Sequence, residues 1–114
     1  MVVKRGEVWW AILEEPIGSE PGYRRPVVIV SSNEFNQSKI NTVLVAIVTS
    51  NLNLANAPGN ILVSKKESGL SKESVVNVSQ VLTLDKTFLS KKAKKIPPNK
   101  IESLNEGLRL VLAI

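Results

Sequence analysis

Two apolar runs joined by a short polar connector constrain the fold of this chain more than any other feature. VVIV occupies residues 27–30 and TVLVAIVT occupies residues 42–49. Runs of this kind, with almost no polar residue inside them, are typical of strands buried on both faces. The connector, residues 31–39, has room for one or two helical turns capped by Ser or Asn. The two strands are therefore predicted to be antiparallel neighbours.

The rest of the chain predicts further short strands and one closing helix. The predicted strands cover residues 5–13, 25–31, 41–49, 60–64 and 74–83. A helix is predicted from about Pro98, a residue type suited to a first helical turn. Five residues form its apolar stripe, which we expect to pack against the sheet: Ile101, Leu104, Leu108, Val111 and Leu112. The predicted fold class is mainly β, a strongly curved, mostly antiparallel sheet or partly open barrel with short connecting helices and a C-terminal helix.

Composition and length narrow the class of protein. The 114 residues fit one domain, residues 1–114, with a core of its own. No stretch is long and apolar enough to span a membrane, and MVVKRGEVWW lacks the pattern of a signal peptide. We therefore expect a cytoplasmic protein without a membrane partner.

The absence of both cysteine and histidine excludes several chemistries. Thiolate catalysis, disulfides and nucleophiles activated by histidine are ruled out, and so is the commonest metal ligand. Asp85 is the one aspartate, and the glutamates are scattered, so a carboxylate cluster for a metal is not expected. The sequence predicts chemistry without a metal or cofactor.

The net charge of +5 indicates an acidic partner. A phosphate-rich ligand and an acidic protein segment both fit this charge, which does not choose between them. The densest basic run, KKAKK at residues 91–95, is a candidate contact for such a partner. The run also fits a solvated surface turn before the last helix. We favour this second interpretation because most charge runs serve solubility.

Two polar side chains are predicted to meet at the tips of the buried strands. Antiparallel pairing brings the first residue of one strand to the last residue of the other, which joins Arg25 and Thr49. Pro26 restricts Arg25 to extended conformations, and Arg24 should project to the other face as a surface or phosphate-steering charge. An ion pair for Arg25 and a strand cap for Thr49 explain the residues as well as a catalytic pair does.

Alternation along two strands singles out an amide and two tryptophans. The adjacent Trp9 and Trp10 must point to opposite faces, and we expect both to serve packing. Four residues of the strand at 74–83 and its end share one predicted face: Val76, Val78, Leu82 and Leu84. Gln80 interrupts that face and needs hydrogen-bond partners, the simplest being a neighbouring carbonyl at the sheet edge.

Four segments carry a resemblance to a known family. VKRGEVWW, GSEPGYRRPVVIV, AIVTSNL and VVNVSQVLTLDKTFL resemble, in order and spacing, the successive signatures of the MazF/PemK toxins of bacterial toxin-antitoxin systems. The resemblance covers essentially the whole chain. It implies an SH3-like barrel related to the gyrase poison CcdB, a homodimer, and cleavage of single-stranded RNA at short motifs without a metal. It also implies a cognate antitoxin whose acidic, disordered tail folds over the basic groove.

The resemblance further assigns residues and a reaction. It implies catalytic roles for Arg25 and Thr49. It implies substrate contacts for three more residues: Ser19, Glu20 and Gln80. Tyr23 stands at a loop position where other family members vary, and as an aromatic residue it is a candidate for stacking on a base. The implied reaction is attack by a ribose 2′-hydroxyl on its own adjacent phosphate, which leaves a 2′,3′-cyclic phosphate and a 5′-hydroxyl.

Two other functions remain open. A gyrase poison on the same fold would act through its C-terminus, and Arg25 and Thr49 would be dispensable. The ending LVLAI is predicted to be helical and lacks the exposed aromatic side chain that would anchor such an interface. A non-catalytic SH3-like module would bind an acidic peptide in the same basic groove without needing the Arg and Thr pair.

Overall fold

A computed structural model describes residues 1–13 and 24–114. Its strands are β1 (Glu7–Ile12), β2 (Arg24–Ile29), β3 (Thr42–Thr49), β4 (Ile61–Val63), β5 (Ser74–Asp85) and β6 (Leu89–Lys95). Its helices are α1 (Asn33–Gln37), α2 (Lys65–Ser68) and α3 (Pro98–Leu112), with short 3-10 turns at Leu52–Asn56 and Lys86–Phe88. The predicted substrate contacts in the loop at 14–23, namely Ser19, Glu20 and Tyr23, lie outside the described residues.

The described strands form one curled antiparallel sheet in the order β4-β5-β3-β2-β1-β6. The buried runs pair as predicted, because the connector is short and α1 reverses the chain between β2 and β3. Ser32 begins α1 by accepting the backbone N–H of Phe35. The predicted fold class is confirmed. No helix of residues 1–13 and 24–114 is long and apolar enough to cross a bilayer.

The sheet is buried on both faces. One face forms the helix-side core, which includes Val28, Val48, Val76, Leu104 and Leu108. The other face forms the opposite core, which includes Trp9, Val27, Ile29, Val45 and Ile47. Neighbouring residues of β2 therefore enter different cores, as its uninterrupted apolar sequence predicts. Trp9 and Trp10 also point to opposite faces, since Trp10 packs against the helix-side core.

The run KKAKK is part of strand β6, and its interpretation as a surface turn was wrong. Lys91 pairs with Trp10 and Lys92 pairs with Trp9 across the ladder between β1 and β6. Strand β6 lies at the edge of the sheet, where most of its side chains face solvent. Lysines are common on edge strands because their charge opposes pairing with a second sheet. The pattern of charges alone therefore did not predict strand β6.

Strand β5 bends at residues 78–80. Ala46 of β3 faces Val81, but the next residue, Ile47, faces Asn77. The residues between them form a bulge, which breaks the regular alternation of side chains. Sequence alternation could not place this bulge.

The single apolar face predicted for β5 was wrong for the same reason. Val76 and Val78 lie in the helix-side core, Leu84 lies in the opposite core, and Leu82 is exposed. Residues before and after a bulge lose their common phase, so they enter different cores. Gln80 does not interrupt an apolar face: it lies in the bulge and is exposed.

Helix α3 packs on the sheet through only part of its predicted stripe. Leu104 and Leu108 are buried in the helix-side core, and Ile101 packs against it. Val111 and Leu112 are 41% and 53% exposed, so the prediction that they pack on the sheet was wrong. Leu112 instead lines an open groove together with Val30, Leu44 and Val81.

Candidate active site

Arg25 and Thr49 lie beside each other at the tips of β2 and β3. Val27 faces Ile47 in the β2 and β3 ladder, and the same register carried two residues further puts Arg25 opposite Thr49. On its other side Thr49 pairs with Val75 of β5. The two polar residues therefore belong to one row across the sheet, as the sequence predicts.

Both residues are held by local structure. Arg25 is half-buried at the start of β2, where Pro26 keeps its backbone extended. The hydroxyl oxygen of Thr49 accepts the backbone N–H of Asn51 at 3.2 Å. Because that bond uses a lone pair and not the hydroxyl hydrogen, Thr49 can still donate a hydrogen bond to an anion.

A cleft of about 360 Å³ opens at these strand tips. Its apolar lining consists of Trp10, Pro26, Val48 and Leu70, and its hydroxyl groups come from Thr49, Ser50, Ser71 and Ser74. Its charged lining consists of Arg24, Arg25 and Lys72. Among the described residues no carboxylate lines this cleft. Cations and hydroxyl donors around an apolar floor suit an anion attached to a flat organic group.

Arg24 also borders the cleft, on the side of Trp10. Its guanidinium carbon lies 4.6 Å from the centre of a Trp10 ring, which is the distance of a cation–π contact. Alternation along β2 puts Arg24 and Arg25 on opposite faces, yet the cleft wraps around the strand tip and includes both residues. The sequence predicted that Arg24 is a surface or phosphate-steering charge, and it gave no indication of the cation–π contact with Trp10.

Gln80 does not line the cleft, and the bulge that carries it lies opposite Ala46 and Ile47 of β3. Its amide oxygen accepts a hydrogen bond from the side-chain nitrogen of Asn77 at 3.0 Å. The expected partner was a backbone carbonyl, which would have bonded the amide nitrogen instead. Asn77 is buried, and sequence reasoning missed it. The available signal was an Asn in the otherwise apolar run VVNV, two residues before Ser79, a spacing typical of an Asx-turn.

The carboxylates with defined contacts have structural explanations. Glu7 is buried and accepts hydrogen bonds from the Lys4 backbone at 2.8 Å and from Trp9 Nε1 at 3.1 Å. Lys92 Nζ lies 3.4 Å from its second oxygen. Hydrogen bonds from the backbone and hydroxyl of Thr87 lower the pKa of the Asp85 carboxyl. In residues 1–13 and 24–114, no three His, Cys, Asp or Glu side chains come together as metal ligands would.

The fold and the site define a small β protein with a curled antiparallel sheet and a cationic cleft at its strand tips. A family model described as the PemK-like, MazF-like toxin of type II toxin-antitoxin systems matches residues 4–112. This chain therefore belongs to that toxin family.

Two curated relatives match over nearly their whole length. Endoribonuclease MazF2 of Mycobacterium bovis is 41% identical over 112 residues, which are 98% of this chain and 98% of the relative. Endoribonuclease EndoA of Bacillus subtilis is 32% identical over 114 residues, which are 100% of this chain and 97% of the relative. The family resemblance inferred from the four sequence segments is confirmed.

Two solved structures share the fold. An endoribonuclease from Mycobacterial species superimposes with a TM-score of 0.80 at 21% identity and covers 100% of this chain and 94% of that one. An endoribonuclease in complex with its cognate antitoxin from Mycobacterial species gives a TM-score of 0.75 at 21% identity, covering 99% and 95% of the two chains. At this identity the likeness supports the fold.

Proposed function

We propose that this chain is a toxin endoribonuclease that cleaves single-stranded RNA without a metal ion. The observation that carries the proposal is the adjacency of Arg25 and Thr49 at the edge of a cationic cleft, in a chain whose curated relatives are endoribonucleases. RNA brings its own nucleophile, the ribose 2′-hydroxyl, so the protein needs only to bind the phosphate and stabilise charge. This division of labour agrees with a sequence that lacks cysteine and histidine.

In the proposed reaction Arg25 and Thr49 act on one phosphodiester. The 2′-oxygen forms a bond to phosphorus while the bond to the 5′-oxygen of the next nucleotide breaks. Arg25 donates two parallel hydrogen bonds to the phosphoryl oxygens as negative charge builds on them. Thr49 donates its hydroxyl hydrogen to the same group. The products are a 2′,3′-cyclic phosphate and a 5′-hydroxyl.

The substrate contacts beyond this pair follow the family resemblance. Glu20 is our candidate for the proton transfers, Ser19 and Gln80 for hydrogen bonds to RNA, and Tyr23 for stacking on a base. Arg24 and Lys72, at the same cleft, would hold the phosphates on either side of the cut.

Two protein partners complete the proposal. An antitoxin with an acidic tail would cover the cationic cleft, and a solved relative in complex with its cognate antitoxin supports such a partner. A homodimer would cover apolar side chains that the described residues expose on α3, namely Leu110, Val111 and Leu112. The proposal places the toxin in the cytoplasm, where messenger RNA is its substrate.

The decisive experiment is incubation with mixed-sequence RNA in EDTA, followed by analysis of the new ends. We expect cyclic phosphate ends and 5′-hydroxyl ends. An RNA with a single 2′-deoxyribose at the cut site should bind but stay whole there, because it has no nucleophile. Intact mixed-sequence RNA would contradict the proposal and favour a non-catalytic role.

A further inference from the structure

We propose that Asn77 fixes the hydrogen-bonding direction of Gln80, so that Gln80 turns its NH₂ donors outward and selects keto bases over amino bases in bound RNA. Keto bases are guanine and uracil, and amino bases are adenine and cytosine. The inference deepens the proposed function, since it names what the same site recognises. In this role Asn77 is a positioning residue, and Gln80 is the residue that touches RNA.

The sheet places Asn77 close to the Arg25 and Thr49 pair. Thr49 faces Val75 across the β3 and β5 ladder, and Ile47 faces Asn77. Asn77 is therefore two residues along β5 from the partner of Thr49, about 7 Å at the rise of an antiparallel strand. Since alternate residues share a face, Asn77 lies on the face that carries Thr49.

The bulge at residues 78–80 then returns Gln80 to this face. Gln80 itself is exposed, and its side-chain oxygen accepts from Asn77 Nδ2 at 3.0 Å. Without the bulge, alternation would put residue 80 on the face opposite to Asn77. The irregularity in β5 thus returns an exposed amide to the face that carries Thr49.

The direction of the amide pair follows from a backbone group. The N–H of Ser79 can only donate, and it points to Asn77 Oδ1 at 3.3 Å. The Ser79 hydroxyl donates to the same oxygen at 2.8 Å. The oxygen end of the Asn77 amide must therefore face Ser79, which turns its nitrogen end toward Gln80. A nitrogen donor requires an acceptor, so Gln80 must present its oxygen to Asn77.

Gln80 is left with its NH₂ group facing outward. Within the described segments this nitrogen makes no hydrogen bond to protein, and the residue is exposed. An NH₂ group donates two hydrogen bonds and accepts none. A base edge that offers a carbonyl oxygen satisfies it, whereas an exocyclic amino group meets it donor to donor.

At the 6-position of purines and the 4-position of pyrimidines, this difference separates the four bases into two pairs. Guanine carries O6 and uracil carries O4 at the position where adenine and cytosine carry amino groups. Bases of single-stranded RNA are splayed out and read on these edges by protein hydrogen bonds. One neutral hydrogen bond made or lost corresponds to about threefold to tenfold in affinity. We expect a keto preference of that size at one position of the recognised motif.

Binding selection tests the inference independently of cleavage. The wild-type protein is mixed with a random-sequence pool of 2′-O-methyl oligonucleotides, which carry all four bases and lack the nucleophile. Bound and unbound molecules are then sequenced. We expect one motif position at which guanine and uracil are enriched about threefold to tenfold over adenine and cytosine.

Two variants separate recognition from a merely structural role. Asn77→Leu removes the polar anchor, frees Gln80 to turn either way, and should bring the keto enrichment close to one. Gln80→Glu still accepts from Asn77 but presents an oxygen outward, so the preference should invert toward amino bases. Gln37→Glu on α1 adds the same charge at the far end of β3 and should leave the profile unchanged.

The outcomes are distinct for the inference and for the proposed function. A wild-type motif without a keto-selective position, or the same motif retained in both variants, would overturn the inference. If Asn77→Leu fails to fold, Gln80→Glu alone decides, because it alters only an exposed side chain. Failure of the proposed function shows elsewhere, as intact RNA in the cleavage assay.

Discussion

The tips of β2 and β3 and the bulge of β5 are neighbouring regions that place their functional groups by different means. At the tips, the antiparallel register that pairs Val27 with Ile47 brings Arg25 opposite Thr49 when it is carried two residues further. In the bulge, the register breaks, and side-chain hydrogen bonds among Asn77, Ser79 and Gln80 determine where the amide points.

Regular pairing at the strand tips suits the catalytic role proposed for Arg25 and Thr49, and side-chain hydrogen bonding in the bulge suits the recognition role proposed for Gln80. A catalytic group must be held within a fraction of an ångström of its working position, and strands paired in a regular register provide a rigid base for it. Recognition of a base needs a defined direction of hydrogen bonding. A bulge allows this direction to change by a side-chain substitution, while the sheet beneath it stays the same. The predictions below test this separation of catalysis from recognition.

The largest effect is expected at Arg25. Arg25→Ala should lower kcat by about a hundredfold to a thousandfold, because a preorganised donor to the developing charge is lost. Arg25→Lys should recover only a small part of the rate, since lysine cannot form two parallel bonds to a phosphate. The measurement is single-turnover cleavage of a short RNA under saturating protein.

Arg109→Ala is the matched control for that variant. It removes the same charge from an exposed position beside Ser31 and Leu44, at the other end of the sheet. Its rate should stay near wild type. Equal losses in the two variants would mean that general electrostatic attraction, and not a donor at the strand tip, explains the effect.

A second large effect is expected at Thr49. Thr49→Val keeps the shape and the β-branched backbone preference but removes the hydroxyl donor, so kcat should fall by roughly a hundredfold. Thr49→Ser should retain most of the rate, since it keeps the donor and the bond from Asn51. In both variants the base preference of binding should be unchanged. A shifted preference would show that the strand tips and the bulge do not act separately.

The sequence was sufficient to predict the tips and insufficient for the bulge, for a physical reason. Apolar runs and a short connector define two neighbouring strands, and strand geometry then dictates that Arg25 meets Thr49. The bulge depends on three extra residues in the pairing of β5, and the alternate valines Val76 and Val78 give no indication of where they are inserted. The sequence feature that indicates the bulge is Asn77, because an asparagine side chain competes for backbone hydrogen bonds and so favours a turn.

Strand β6 and helix α3 show that residue composition also limits what can be predicted from the sequence. The lysines of KKAKK indicated solvent exposure correctly, but exposure does not distinguish a turn from an edge strand. The apolar stripe of α3 predicted a helix correctly, yet it could not show which of its residues become buried, and Val111 and Leu112 remain exposed. Both errors concern which neighbour a segment finds, and that depends on the whole sheet.

The smallest predicted effect is at Arg24 and tests whether the cleft has a binding group distinct from the catalytic pair. The stack on Trp10 holds the Arg24 guanidinium at the mouth of the cleft, so Arg24→Ala should remove one phosphate contact. The slope of log affinity against log salt concentration should then decrease in magnitude by about 0.7, as expected for one contact to a single strand.

Trp10→Leu is the control, because it keeps the charge of Arg24 but removes the ring that orients it. It should weaken binding while changing the salt slope less. Both variants should raise KM and leave kcat close to wild type, because neither residue donates to the phosphate under attack. A large fall in kcat for Arg24→Ala would make Arg24 part of the catalytic group, and the tip of β2 would then carry two catalytic arginines and not one.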